Sequence, residues 1–166
     1  PRISLLLAPP RAKQMDTVIR QATELGAYRV IPVFTARGVA KPDKAAKETH
    51  WRNEARAAVK QSGNPFLPEI SRPIPFAEAL QRHPIPGLFG DTGTDAGGKR
   101  WRQAIEAEDI AIWIGPEGGF TPHEKKQMTD HNILPFRLGN WVLRVETAVA
   151  ALTGAVLGMR QFSQHP

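Results

Sequence analysis

The sequence predicts an α/β domain built on a parallel-rich sheet, and three observations predict it. The chain opens as strand, helix, strand. Two later apolar runs end in glycine turns that lead straight into helices. The 166 residues, 41% of them hydrophobic, suffice for one domain with a real core.

The elements follow in order. Ile3–Ala8 is a mostly apolar run that reads as a buried strand, ended by Pro9 and Pro10. From Met15 to Leu25, the residues Val18, Ile19, Ala22 and Leu25 recur at helical spacing, and Gly26 supplies a stop. Arg29–Phe34 is the next strand, with Val30, Ile31 and Val33 apolar. Such a β-α-β start favours parallel pairing. Lys41–Lys47 is polar and basic. A helix is expected from Ala45 to Ser62, with Trp51, Ala55, Ala58 and Val59 as its apolar stripe and Gly63-Asn64-Pro65 as its end. Pro65–Pro86 is proline-rich and holds one short helix, Phe76–Arg82. Gly87–Gly90 reads as a short strand, Asp91–Gly98 as a glycine-rich loop, Lys99–Ala107 as a helix and Ile110–Ile114 as a fully apolar strand. A helix starts at Pro122, Leu134–Leu138 is a strand, and Glu146–Met159 is a helix. No internal repeat or low-complexity tract interrupts this order.

Composition narrows the function classes. No apolar run could span a bilayer, and the flanks of a secretory signal are missing, so no membrane partner is expected. The chain has no cysteine, which removes disulfides and thiolate metal sites and fits a reducing cytoplasm. Its five histidines have no close ligand spacing, so no metal is expected. A net charge of +6 and a pI near 10.1 favour an acidic partner, of which nucleic acid is the commonest. Arg52, Arg56 and Lys60 recur every fourth residue and share one helix face. Only Glu54 offers an opposite charge nearby, so the face is either solvated or an RNA-backbone contact.

Two segments carry the chemistry. In Trp113-Ile114-Gly115-Pro116-Glu117-Gly118-Gly119-Phe120, a buried strand runs into a glycine turn. Thr121 then suits a helix N-cap, Pro122 the first helical position, and Glu124 closes a capping box. The glycines therefore sit at the carboxyl end of a strand, where open α/β sheets bind ligands, and bare backbone there lets a ligand come close. A phosphate loop is a poor fit, because no Gly-Lys-Ser/Thr follows. The second segment, Leu138-Gly139-Asn140-Trp141-Val142-Leu143-Arg144-Val145-Glu146-Thr147-Ala148, repeats the logic. Its helix carries Ala148, Ala151, Gly154, Ala155 and Gly158. Glycine inside a helix costs about 1 kcal/mol against alanine, so Gly154 and Gly158 imply an offsetting benefit. That benefit is the close approach of another backbone, within the chain or from a second subunit, or simply core packing.

The pair Ile114-Gly115-Pro116-Glu117-Gly118-Gly119-Phe120 and Leu138-Gly139, then Leu143-Arg144-Val145-Glu146-Thr147-Ala148, resembles the ribosomal RNA small-subunit methyltransferase E family of the SPOUT superfamily. Ala22-Thr23-Glu24-Leu25-Gly26, Ile31-Pro32, Trp51, Glu54-Ala55, Gln61-Ser62-Gly63 and Pro68-Glu69-Ile70 extend the likeness over nearly the whole chain. The resemblance implies S-adenosylmethionine as cofactor and N3 of a uridine in small-subunit (16S) ribosomal RNA as target. It implies an α/β sheet with a C-terminal deep trefoil knot, and a homodimer with the active site near the subunit interface. It also implies that residues 1–166 form the methyltransferase domain, without the N-terminal PUA-like RNA-binding domain that members usually carry. The chain departs from the family in lacking basic residues at Gln21 and after Gly63, where it reads Asn64-Pro65-Phe66.

By the same resemblance, cofactor contacts fall on Leu88 and Gly90, on Ile114, Gly115, Pro116, Gly118 and Gly119, and on Leu138, Gly139, Val142 and Leu143. Backbone groups should do most of the binding. Arg144 is the candidate cation for the charge that builds on the uracil carbonyl oxygens, or else a structural partner of Glu146 or Glu117. Glu117 is a candidate to hold the loop, bind RNA or accept the N3 proton. The candidate RNA-binding side chains are Arg11, Lys13, Arg20, Arg52, Arg56 and Lys60.

Overall fold

The computed structural model describes residues 2–38, 46–93 and 99–164. The basic stretch before Ala46 and positions 94–98 of the expected glycine-rich loop lie outside these residues.

β1 (Arg2–Leu7) and β2 (Arg29–Phe34) pair in parallel around helix α1 (Ala12–Glu24). The helix begins earlier than the apolar pattern indicates, because Lys13 and Gln14 in its first turn are polar and give periodicity nothing to find. α2 (Ala46–Ser62) follows. Two strands then appear that the sequence does not reveal, β3 (Glu69–Ile70) and β4 (Ile74–Pro75), both paired with β2. A two-residue strand has no alternation to detect, and proline there argues against pairing. α3 (Phe76–Arg82), β5 (Gly87–Gly90), α4 (Lys99–Glu106), β6 (Asp109–Ile114), α5 (Pro122–Asp130) and β7 (Ile133–Phe136) come where expected, within a few residues at each end. The last helix, α6 (Val145–Gln164), runs past Met159. Nothing at that point stops it, and Arg160 is anchored by donating to the Ala107 carbonyl.

Among the described residues every strand pairing is parallel, in the order β3-β2-β1-β6-β5-β7. Strand residues alternate between two cores. Leu5, Leu7, Leu88, Ile112 and Leu134 face α1, α2, α4 and α6. Leu6, Ile31, Phe89, Trp113 and Ile133 face α3 and α5. The chain therefore enters β6 from β5 across one face, through α4, and leaves for β7 across the other, through α5. That reversal follows from right-handed crossovers, and it opens a crevice at the carboxyl end of the sheet beside β6.

Candidate functional site

The crevice is built from three strand ends. Its first wall starts at Ile114, buried at the end of β6. The turn closes when Gly119 N–H donates to the Pro116 carbonyl at 2.7 Å, with Gly119 at φ +66°. A side chain at that angle would be strained. Phe120 then plugs into the core, edge-on to Phe89 at 6.1 Å and tilted against Phe76 at 6.1 Å. The turn is thus pinned at both ends.

The β2 end clamps it from the side. Glu124 is buried, and its Oε2 accepts from Thr121 N–H at 2.7 Å while Thr121 Oγ1 accepts from Glu124 N–H at 3.2 Å. This is the capping box read from the sequence. Its other oxygen, Oε1, accepts from Ala36 N–H at 2.8 Å. Next along the chain, Arg37 donates to the Gly118 carbonyl at 2.7 Å. Two consecutive residues beyond β2 therefore fasten the glycine turn. Glu124→Ala removes a carboxylate acceptor from two part-buried N–H groups. Removal should cost about 2–3 kcal/mol, seen in thermal unfolding as a fall of roughly 4–12 °C for a domain of this size.

The second wall begins at Phe136, the last residue of β7. Arg137 Nε donates to the Gly139 carbonyl at 2.9 Å, and Arg137 also reaches the Asn140 side chain. These contacts shape the loop up to Leu143, whose tip, Trp141 and Val142, is 81% and 72% exposed. The third side is the β5 end. Gly90 lies against Leu152 of α6, where an added Cβ would come within 3.3 Å of the leucine methyl. Asp91 N–H donates to the Phe136 carbonyl at 3.0 Å, joining β5 to β7, and Asp91 Oδ1 pairs with Lys125 at 2.7 Å.

Together these walls enclose a cavity of about 210 Å³. Ile114, Gly115, Pro116, Gly118 and Gly119 line it on one side, and Leu138, Val142 and Leu143 on the other, with Gly90 and Glu117 also on its surface. Two of the expected contacts do not line it. Leu88 is fully buried with its side chain in the core beneath. Gly139, at φ +69°, turns the second loop. Arg144 is exposed and also outside the lining. Among the described residues it makes no ion pair with Glu146 or Glu117, so the structural alternative for Arg144 has no contact behind it.

Several lining residues escape sequence reading. Phe120, Phe136, Val145 and Leu152 form an apolar floor that looks like ordinary core in sequence. Arg37 and Lys125 arrive from distant elements. Asp91, next to Gly90 at a strand end, was within reach of the carboxyl-end rule.

The basic residues require a correction. Acidic partners are not scarce around them. Arg20 pairs with Glu54 at 2.8 Å, and Arg52 pairs with Glu48 at 2.9 Å. Glu48 lies one helical turn before Arg52, the spacing at which helix side chains meet, and Arg72 approaches it too at 3.4 Å. Arg56 contacts only Asn53, at 3.4 Å, and Lys60 has no partner among the described residues. Both stand on a crossover helix that leads away from the carboxyl edge. Arg11 and Lys13, exposed at the start of α1, stand at the carboxyl edge itself.

No helix among the described residues is long and apolar enough to cross a membrane, and no group of three or more His, Asp or Glu gathers there as metal ligands.

Comparison with known proteins places this geometry. Residues 1–157 match the family described as RNA methyltransferase domain. The ribosomal RNA small subunit methyltransferase E of Aquifex aeolicus is 30% identical over 146 residues, covering 87% of this chain and 63% of that protein. Its Bacillus subtilis counterpart is 29% identical over 150 residues, covering 84% of this chain and 59% of that protein. The Neisseria gonorrhoeae ribosomal RNA small subunit methyltransferase E, solved bound to S-adenosyl methionine, superposes with a TM-score of 0.84 at 27% identity, over 95% of this chain and 66% of that one. The chain thus spans less than two thirds of these relatives.

Proposed function

This chain belongs to the RNA methyltransferase domain family, and on that premise we propose that it methylates small-subunit ribosomal RNA at N3 of a uridine, using S-adenosylmethionine held in the carboxyl-edge cavity. One observation carries the reading: two glycine turns and the β5 end meet around a single cavity, with an apolar floor below and bare backbone above. An adenosine with a charged amino-acid tail fits that chemistry, since rings pack on apolar side chains and polar edges meet backbone N–H and C=O groups.

Bound there, the cofactor supplies a methyl group on a positively charged sulfur. The residues must then hold uridine N3 in line with that carbon at about 3–3.5 Å. The N3 proton has to leave as the N–C bond forms and the C–S bond breaks. Glu117, on the cavity surface without a side-chain partner among the described residues, is the acceptor within this wall. Phe120, Glu124 and Arg37 hold the turn, so little reorganisation is needed at the moment of transfer. The C-terminal knot belongs to the same reading, supported by β5 lying between two strands, β6 and β7, that follow it in the chain.

The homodimer is supported by α6. An added Cβ at Gly154 or Gly158 would meet nothing within 4 Å, so no other backbone among the described residues explains either glycine, and Phe162 nearby is 83% exposed. A second copy laid on this face supplies the missing close approach. Sedimentation should report two chains, and Gly154→Leu should shift the mass to one.

Calorimetry with S-adenosylmethionine and mass spectrometry of nucleosides from treated ribosomal RNA test the function together. Binding with 3-methyluridine as product is the expected result. Methylated ribose, or no binding, would overturn it.

A further inference from the structure

We infer that Trp141 is the platform on which the target RNA base stacks as it enters the cavity, a role that rests on the RNA-methylation reading above. Tryptophan has the largest apolar surface to hide and normally hides it. Of the chain's four tryptophans, Trp51 and Trp113 are buried, and Trp101 is half-buried with its Nε1 donating to the Pro135 carbonyl at 3.0 Å. Trp141 alone is left out, 81% exposed, and it stands on the cavity wall.

Its surroundings indicate what covers it. Arg137 and Arg144 bracket its loop, and Arg37 stands on the first wall. Arg37 gives one N–H to the Gly118 carbonyl, which leaves most of its five donors free. Among the described residues none of these three arginines has an acidic partner. An exposed aromatic ring set among unneutralised guanidinium groups is the composition of a single-strand nucleic-acid site, where the ring takes a base face and the cations take phosphate.

Two other occupants fit less well. The cofactor's adenine has a buried apolar floor at Ile114, Phe136 and Leu152, and does not need a side chain that points mainly to solvent. A second protein chain would bury three arginines that have no acidic partner among the described residues, which is costly unless that chain brings carboxylates to meet them.

Trp141 dominates quenching by acrylamide because the other three tryptophans are shielded. In the full chain, a short single-stranded oligouridylate should protect the emission, and duplex RNA should not. Trp141→Ala should raise KM for RNA about 10- to 100-fold, with S-adenosylmethionine affinity and sedimenting mass unchanged, and Trp141→Phe should recover most of the loss. Unaltered quenching, or an unaltered KM in Trp141→Ala, removes the platform. A parallel loss of cofactor affinity assigns the ring to the cofactor, and a loss of mass assigns it to a subunit contact. Either result overturns the inference. Quenching needs no turnover. Protection in a wild-type chain that transfers no methyl group would therefore sink the methyltransferase reading and leave the platform standing.

Discussion

Gly118→Val should abolish S-adenosylmethionine binding while the domain melts within a few degrees of the wild type. The position is unusual among the glycines of this turn. Gly119 sits at φ +66°, so any side chain there strains the backbone. An added Cβ at Gly115 would press on the Phe120 ring at 3.2 Å, which couples that glycine to the core. At Gly118 the backbone is ordinary and exposed. Its added Cβ would meet only the Arg37 side chain, at 3.5 Å, an ordinary contact with a flexible neighbour. A valine at this position therefore adds bulk to the cavity wall without a folding penalty of comparable size. Calorimetry should lose the binding heat altogether, and thermal unfolding should change little. A variant that still binds the cofactor at wild-type affinity would place the ligand elsewhere. A variant that unfolds would show instead that Arg37 and the turn form a structural unit. Gly118→Ala, with one methyl group, should fall between the two.

The reach of sequence reading follows from the range of the interactions involved. The helices and the longer strands were legible because each writes its own periodicity, which the two-residue β3 and β4 are too short to do, and the Thr121–Glu124 capping box because it spans a single turn. The glycine turns were legible because Gly119 and Gly139 take a positive φ that most side chains adopt only under strain. The apolar floor was not, since Phe136 and Leu152 are indistinguishable in sequence from core. Nor was the clamp. Ala36 meets Glu124 across 88 positions, and Arg37 meets Gly118 across 81, contacts that exist only after β2 and β6 are set in one sheet. The acidic partners along the basic face of α2 were undercounted for a different reason. Counting cations at one spacing overlooked Glu48, a turn earlier on the same face, which pairs with Arg52, while Glu54, the one acidic neighbour expected there, reaches across to Arg20 of α1.

Arg144→Ala should lower turnover about 10²–10³-fold, the usual cost of removing a well-aimed charged donor, while stability and cofactor affinity hold. The structure makes this variant cleaner than the sequence alone suggested. Arg144 directly precedes α6, and its carbonyl accepts from Ala148 N–H at 2.8 Å in the first turn. A cation at a helix N-terminus faces the positive end of the helix dipole, a mismatch of typically 0.3–1 kcal/mol. With no acidic partner among the described residues, the guanidinium contributes no compensating ion pair. Its removal should leave the melting temperature unchanged or slightly higher. Residues on both sides of it, Leu143 and Val145, line the cavity, so its backbone stands at the cavity rim. Its proposed task is to favour the uracil carbonyl oxygens as they gain charge, which stabilises the transition state more than the ground state. The loss should therefore fall on kcat at saturating RNA, with the calorimetric affinity for S-adenosylmethionine intact. Arg144→Lys should restore only part of the rate, because a point charge cannot present two parallel N–H donors. Wild-type kcat in Arg144→Ala would remove the residue from the chemistry. A fall in melting temperature and cofactor affinity together would instead show that Arg144 supports the loop, and the charge on the uracil would have to be met by a different group.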